Sequence, residues 1–220
     1  MADDDWLLFE KKVVPALFET GFMVSVTFAI ATLLGLLLAI LLVCCDENGL
    51  TPNKWVYKVL NTVSNVLRSF PFIILIVTMI PMTRAIVGTS IGNVAAIVPL
   101  VVAMTPFIAR LIENSLKSVD PSVIEAARSF CANKRQIVFR VMLKEAVPSI
   151  ILNLTLAVIT TIGLSAMAGS VGGGGLGATA IIYGYQNFNT FVMYSVVLIL
   201  IAVVQVIQWI GNGLYKKTDK

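Results

Sequence analysis

Charge is absent from three long stretches of this chain: residues 20–45, 85–109 and 146–215 contain no Asp, Glu, Lys or Arg. About 20 predominantly apolar residues cross a bilayer as a helix. The first two stretches therefore each accommodate one span, and the third accommodates two. The pattern predicts spans over 19–45, 85–109, 146–168 and 190–212. A further span, over 59–83, is less regular, because Arg68 interrupts its apolar run and Pro71 and Pro81 bend it. Pro99 and Pro106 kink the 85–109 span in the same way. The expectation is an all-α polytopic membrane protein with five transmembrane helices, a single transmembrane domain over 1–220.

Composition agrees with this reading. Hydrophobic residues make up 58% of the chain and charged ones 13%, about half the charged share of a soluble domain. The opening MADDDWLLFEKK is acidic where a signal peptide is basic, which argues against a cleaved leader. Histidine is absent, which removes the commonest general base and metal ligand. No phosphate-binding loop, no metal motif and no pair of carboxylates within a span is present. An intramembrane enzyme, which needs a nucleophile and base or a metal set at one depth, is therefore disfavoured. Cys44 and Cys45 are adjacent and Cys131 stands alone, so free thiols are expected.

The charges that do occur are unevenly placed. With five spans, thirteen of the sixteen Lys and Arg residues fall on one side, in 46–68, 110–145 and the C-terminus; Lys11, Lys12 and Arg84 fall on the other. The positive-inside rule then puts the N-terminus outside and the 110–145 loop and C-terminus in the cytoplasm. Between the last two spans lies SVGGGGLG, in which Gly172, Gly174 and Gly177 have dinucleotide-loop spacing. That motif requires a preceding strand and an acid about 20 residues on, and both are missing. The run Gly172, Gly173, Gly174, Gly175, Gly177 is instead read as a φ > 0 connection whose glycines allow close packing at an outer gate.

The loop itself reads RLIENSLKSVDPSVIEAARSFCANKRQIVFRVMLKE. Asp120 before Pro121 fits an N-cap with proline at the first helical position; Ser122 with Glu125 offers an alternative capping box. A short helix is expected from about 121 to 131, then a turn, with Asn133 able to adopt left-handed backbone. A second helix follows, with Ile137, Val138, Val141 and Met142 as its apolar stripe. Composition alone favours a hairpin lying on anionic lipid.

The pattern in this loop resembles the EAA motif of binding-protein-dependent ABC importer permeases: Glu125, Ala126, Ala127 and Leu143 match, and Val141 stands for Ile. Cys131 replaces the motif's glycine and Lys144 its proline, so the turn role is expected to pass to Asn133. Together with RSFPFIILIVTMIPMTRAIVGTSIGNVAAIVPL, KEAVPSIILN and GLSAMAGSVGGGGLG, the loop is similar to permease subunits of methionine importers over about 60–180.

That resemblance implies a type I ABC importer permease fold and a homodimer in a bacterial plasma (inner) membrane. It implies an ATP-driven methionine importer whose pathway runs between two copies of the chain. Two copies of a separate ATPase would bind ATP and Mg, leaving this chain without a cofactor or catalytic site of its own. An extracytoplasmic methionine-binding protein would deliver substrate; nucleic acid has no part. Glu125, Ala126, Ala127, Arg128, Cys131, Val141 and Leu143 would form the ATPase-coupling surface. Small polar and soft apolar groups suit methionine, which makes Met104, Thr161, Ser165 and Met167 pathway candidates. Arg68 is a further candidate or an interfacial snorkelling residue. A permease for another small amino acid or metabolite, or an ATP-independent channel, is the alternative.

Overall fold

The computed structural model describes residues 6–47 and 49–218. The acidic residues at positions 3–5, Asn48 and Lys220 lie outside the described residues. Among those described, every regular element is helical. Four helices are long and apolar enough to cross a membrane, and the pair Lys54–Ser69 and Phe72–Thr78 passes the same test only when its two bent halves are taken together.

Helix α1 is one helix over Trp6–Cys45, with a wider π turn at Phe9–Val13. At 1.5 Å per residue, its 40 residues extend about 60 Å, twice the hydrocarbon thickness. The expected span 19–45 is thus the inner part of a helix whose first turns carry Glu10, Lys11 and Lys12.

The second expected span departs most from expectation. Instead of a single bent helix over 59–83 there are three pieces: α2 (Lys54–Ser69), α3 (Phe72–Thr78) and α4 (Ile80–Val87). The side chain of Asn53 accepts the Val56 N–H at 3.2 Å and starts α2 earlier than its apolar run suggested. Pro71 ends it: Phe70 before the proline is extended at ψ 127°, the steric consequence of the following ring. The chain turns by 102° between α2 and α3.

Helix α5 spans Asn93–Lys117, so the third span is displaced by eight residues at each end from the expected 85–109. Gly88 and Gly92, at φ +83° and +101°, separate it from α4. The helix runs unbroken through Pro99 and Pro106, and continues past Ala109 because Arg110, Glu113 and Lys117 neutralise one another along one face. The expected 110–145 loop therefore begins only at Ser118. It contains α6 (Pro121–Ser129) and a second helix, α7, over 134–145 with a π turn at Ile137–Met142. Helix α8 (Val147–Gly169) and helix α10 (Thr190–Thr218) occupy the last two expected spans. Between them α9 runs over Gly175–Thr179 and widens into π turns over Ala180–Gln186.

The centre of the subunit is the α1–α5 pair. Thr27, Ala31, Gly35 and Ala39 recur every fourth residue on α1, and Thr27, Ala31 and Ala39 are fully buried. A Cβ on Gly35 would sit 3.0–3.1 Å from Ile108 Cγ2, Ala109 N and Thr105 O. Without a hydrophobic force between helices in lipid, such close backbone approach supplies the packing. Helix α8 joins α5 through polar groups: Asn153 Nδ2 donates to Ser115 Oγ at 2.8 Å and Ser149 Oγ to the same atom at 3.0 Å.

Candidate functional site

The 118–146 hairpin stands at the end of the α1–α5 pair. Asp120 Oδ1 accepts the Ser122 N–H at 2.8 Å, so the Asp–Pro start is the one used and the Ser122–Glu125 alternative is not. That hydrogen bond holds the Asp120 carboxyl below the usual carboxylate range. No residue of α6 is buried. Ile124 and Ala127 rest on a core that includes Val43, Leu116, Val119 and Met142, while Glu125, Ala126 and Arg128 face outward. Val141 and Leu143 are half-buried beneath them, with Leu143 packed on the same core.

The turn after α6 corrects one expectation. Cys131 itself takes the left-handed conformation, at φ +54°, and so keeps the place of the motif's glycine. Asn133, at φ −73° and ψ 162°, is extended and caps α7. Its Oδ1 accepts the Gln136 N–H at 2.9 Å, and its own N–H donates to Gln136 Oε1 at 2.8 Å. Neighbouring Phe130 is 87% exposed beside Ala126.

Beneath this hairpin is a charged cluster that periodicity did not single out. Glu113 is fully buried, with Oε2 2.8 Å from Arg110 Nη1 and Oε1 2.9 Å from Lys117 Nζ. Enclosing a lone carboxylate costs several kcal/mol, so both cations are required. Lys117 Nζ also lies 2.6 Å from Asp46 Oδ2 and 5.5 Å from the centre of the Tyr57 ring. The Lys117 hydrogen bond holds the Asp46 carboxyl below its ordinary range. The only sequence signal was the spacing Arg110, Glu113, Lys117, which puts opposite charges on one helical face.

At the other end, the glycines are tightly fitted. Gly175 N–H donates to Glu19 Oε2 and Leu176 N–H to Thr20 Oγ1, both at 2.8 Å; Gly92 N–H donates to Gly172 O at 2.8 Å. Gly172, Gly174 and Gly175 have positive φ, as expected. Gly173 lies against Ala168 O, and Gly177 against the Ala166 backbone, where a Cβ would have no room. Glu19 and Thr20 were not singled out, because a lone acid at a span's edge has many uses.

The pathway candidates separate into two groups. Met104 lies in the core. Thr161 and Ser165 are buried and donate to Ala157 O (2.7 Å) and Ile162 O (2.8 Å) of their own helix. These three present no surface within the subunit. Met167, at 39% exposure, and Arg68, at the exposed end of α2, do. Met167 and Arg68 lie on different helices, α8 and α2.

Comparison with known proteins gives concordant matches. The family model of the binding-protein-dependent transport system inner membrane component matches residues 31–220. The probable D-methionine transport system permease protein MetI of Vibrio cholerae serotype O1 is 42% identical over 207 residues, which cover 94% of this chain and 92% of that protein. The methionine import system permease protein MetP of Bacillus subtilis is 40% identical over 180 residues, 82% of this chain and 81% of that protein. A solved chain of the MetNI methionine ABC transporter, in a study of its inward-facing conformations, superposes with a TM-score of 0.92 at 42% identity, covering 97% of this chain and 96% of that one. An amino acid ABC transporter crystallised with histidines shares the fold, at a TM-score of 0.70 and 22% identity over 92% of this chain and 90% of that one.

Proposed function

The chain belongs to the family of binding-protein-dependent transport system inner membrane components, and on that premise we propose that it is the membrane-spanning subunit of an ATP-driven methionine importer. Two copies form the translocation pathway, and each binds one ATPase subunit through α6. A methionine-binding protein supplies substrate at the opposite face. The ATPase holds the ATP and Mg, and its nucleotide cycle drives transport. The chain contributes the path and the mechanical link, with the 118–146 hairpin and C-terminus in the cytoplasm and the N-terminus outside.

The observation that carries this reading is the seating of α6. Glu125, Ala126 and Arg128 are exposed, Glu125 and Arg128 beside the opening toward the 43–50 segment, while Ile124 and Ala127 pack on the α1–α5 core and no residue of the helix is buried. Small Ala126 lets the helix backbone enter a groove on the ATPase, with Glu125 and Arg128 forming ion pairs at its flanks and Phe130 adding apolar area. Displacement of such a helix is passed directly to the span ends beneath it. At the far end, Gly172–Gly177 lies at the outer gate, where Gly-mediated contacts are made and released. Met167 is the pathway candidate with free surface at that end of α8; Arg68 flanks the α2–α3 break.

The test is uptake of labelled methionine into proteoliposomes containing this chain, its ATPase and its binding protein. Wild type is expected to accumulate methionine only with ATP. Glu125→Lys combined with Ala126→Trp is expected to lose both ATPase co-purification and at least about ten-fold of the uptake, comparable to the loss of an interface hot spot. Uptake of another amino acid in place of methionine would keep the mechanism and overturn the substrate. Uptake without the ATPase, or normal transport by the double variant, would overturn the coupling role of α6.

A further inference from the structure

We propose that Asp46, Lys117 and Glu113 form an ionic lock that makes the ends of α1, α2 and α5 move together with α6, and so sets how much substrate is carried for each ATP hydrolysed. The inference deepens the importer reading and rests on it.

The chain between the lock and α6 is short and stiff. Lys117 is the last residue of α5, and Pro121 opens α6. Between them Ser118 N–H donates to Asn114 O at 3.1 Å, Ser118 Oγ donates to Ser115 O at 2.9 Å, Val119 is buried, and Asp120 caps α6. A displacement of α6 therefore arrives at Lys117 with little slack.

From Lys117 it has defined places to go. The pairs of Glu113 with Arg110 and Lys117 lie on one helix and by themselves would only stiffen α5. Lys117 also reaches Asp46, the residue that ends α1, and its ammonium lies over Tyr57 in the first turn of α2. Apolar packing closes part of this corner, where Val43, Leu50 and Ile124 share one core with Leu116 and Val119. A cavity of about 420 Å³ opens between the 43–50 segment and α6, bordered by Asp46, Lys117, Glu125 and Arg128. Beside that opening, the charged contact adds a directional tie between the end of α1 and the base of α6 to the apolar one. Apolar contacts are non-directional and tolerate sliding, whereas breaking Lys117 from Asp46 separates paired charges. The lock is thus a positioning device, acting through the placement of α6.

The experiment uses the complete importer in proteoliposomes, with labelled L-methionine uptake and phosphate release measured on the same vesicles. Asp46→Asn keeps the size of the side chain and an oxygen for the Glu47 N–H it accepts at 2.7 Å. It is expected to assemble with the ATPase and to hydrolyse ATP. The methionine carried per ATP is expected to fall about three-fold or more, within the range of mutations along a coupled network. Asp46→Glu, which retains the charge, is expected to recover most of the ratio. If Asp46→Asn does not assemble, Asp46→Ser decides in the same assay. A ratio unchanged from wild type, or uptake and hydrolysis falling in proportion, overturns the proposal. Wild-type vesicles that show no ATP-dependent uptake would instead sink the importer reading beneath it.

Discussion

Cys131 holds a backbone conformation that its β-carbon disfavours. Left-handed φ costs an L-residue about 1–2 kcal/mol, and here it is retained because the turn brings Ala132 back onto the core under α6. Ala132 N–H closes the turn on Ala127 O at 3.1 Å. Cys131→Gly removes the clash at the expense of about 0.5–1 kcal/mol of unfolded-chain entropy. A net gain of about 0.5–1 kcal/mol is expected, read as a higher thermal midpoint of the purified protein in detergent; a lowered midpoint would contradict the strain. The residue types alone point to Asn133, since Asn tolerates left-handed backbone better than Cys. The opposite outcome arose because Asn133 is better used as the cap of α7, where both it and Gln136 are satisfied.

At the level of elements, the charge-free runs found the four long apolar helices, but the ends agree within a residue at both sides only for the span expected over 146–168. The runs failed where polarity and helix continue together. Helix α5 carries Arg110, Glu113 and Lys117 inside its last two turns because the charges are paired, so absence of charge is a poor marker of where a span stops. The last eleven residues of α2 were read as the first part of one span over 59–83, and the 102° break at Pro71 separates them from the rest of it. The α1–α5 contact tests the packing argument most directly. Gly35→Leu would push a branched side chain into the backbone of Thr105 and Ala109 and is expected to destabilise the subunit by about 2 kcal/mol or more, as overpacking does. Gly21→Leu, on the same helix with open space around its α-carbon, is the control. Equal midpoints for the two in detergent unfolding would overturn the close-approach account.

For the whole molecule, the strongest sequence inference is its orientation, which rests on the thirteen-to-three distribution of Lys and Arg. It makes a direct prediction. On intact cells a membrane-impermeant maleimide should label Lys12→Cys, and should reach exposed Cys131 only after permeabilisation. The reverse pattern would invert the whole assembly and place α6 on the wrong side for an ATPase. The helix ends agree internally: Asp46 meets Lys117 at one end of the α1–α5 pair, and Glu19 meets the glycines at the other.

The sequence by itself determined the helical class, the presence of four long apolar helices, the charge asymmetry and the EAA segment with its Asp120 cap. All of these follow from local composition, short-range hydrogen bonding or a contiguous motif. Tertiary structure alone decided which polar residues are exposed. Thr161 and Ser165 look available on a helical wheel yet are closed off against their own helix. Glu113 looks like one more surface acid and proves to be the buried centre of a cluster. The physical reason is common to these cases: burial and ion pairing depend on which helix lies opposite, and that is fixed by contacts between residues far apart in the chain, such as Asp46 with Lys117, which no local pattern encodes.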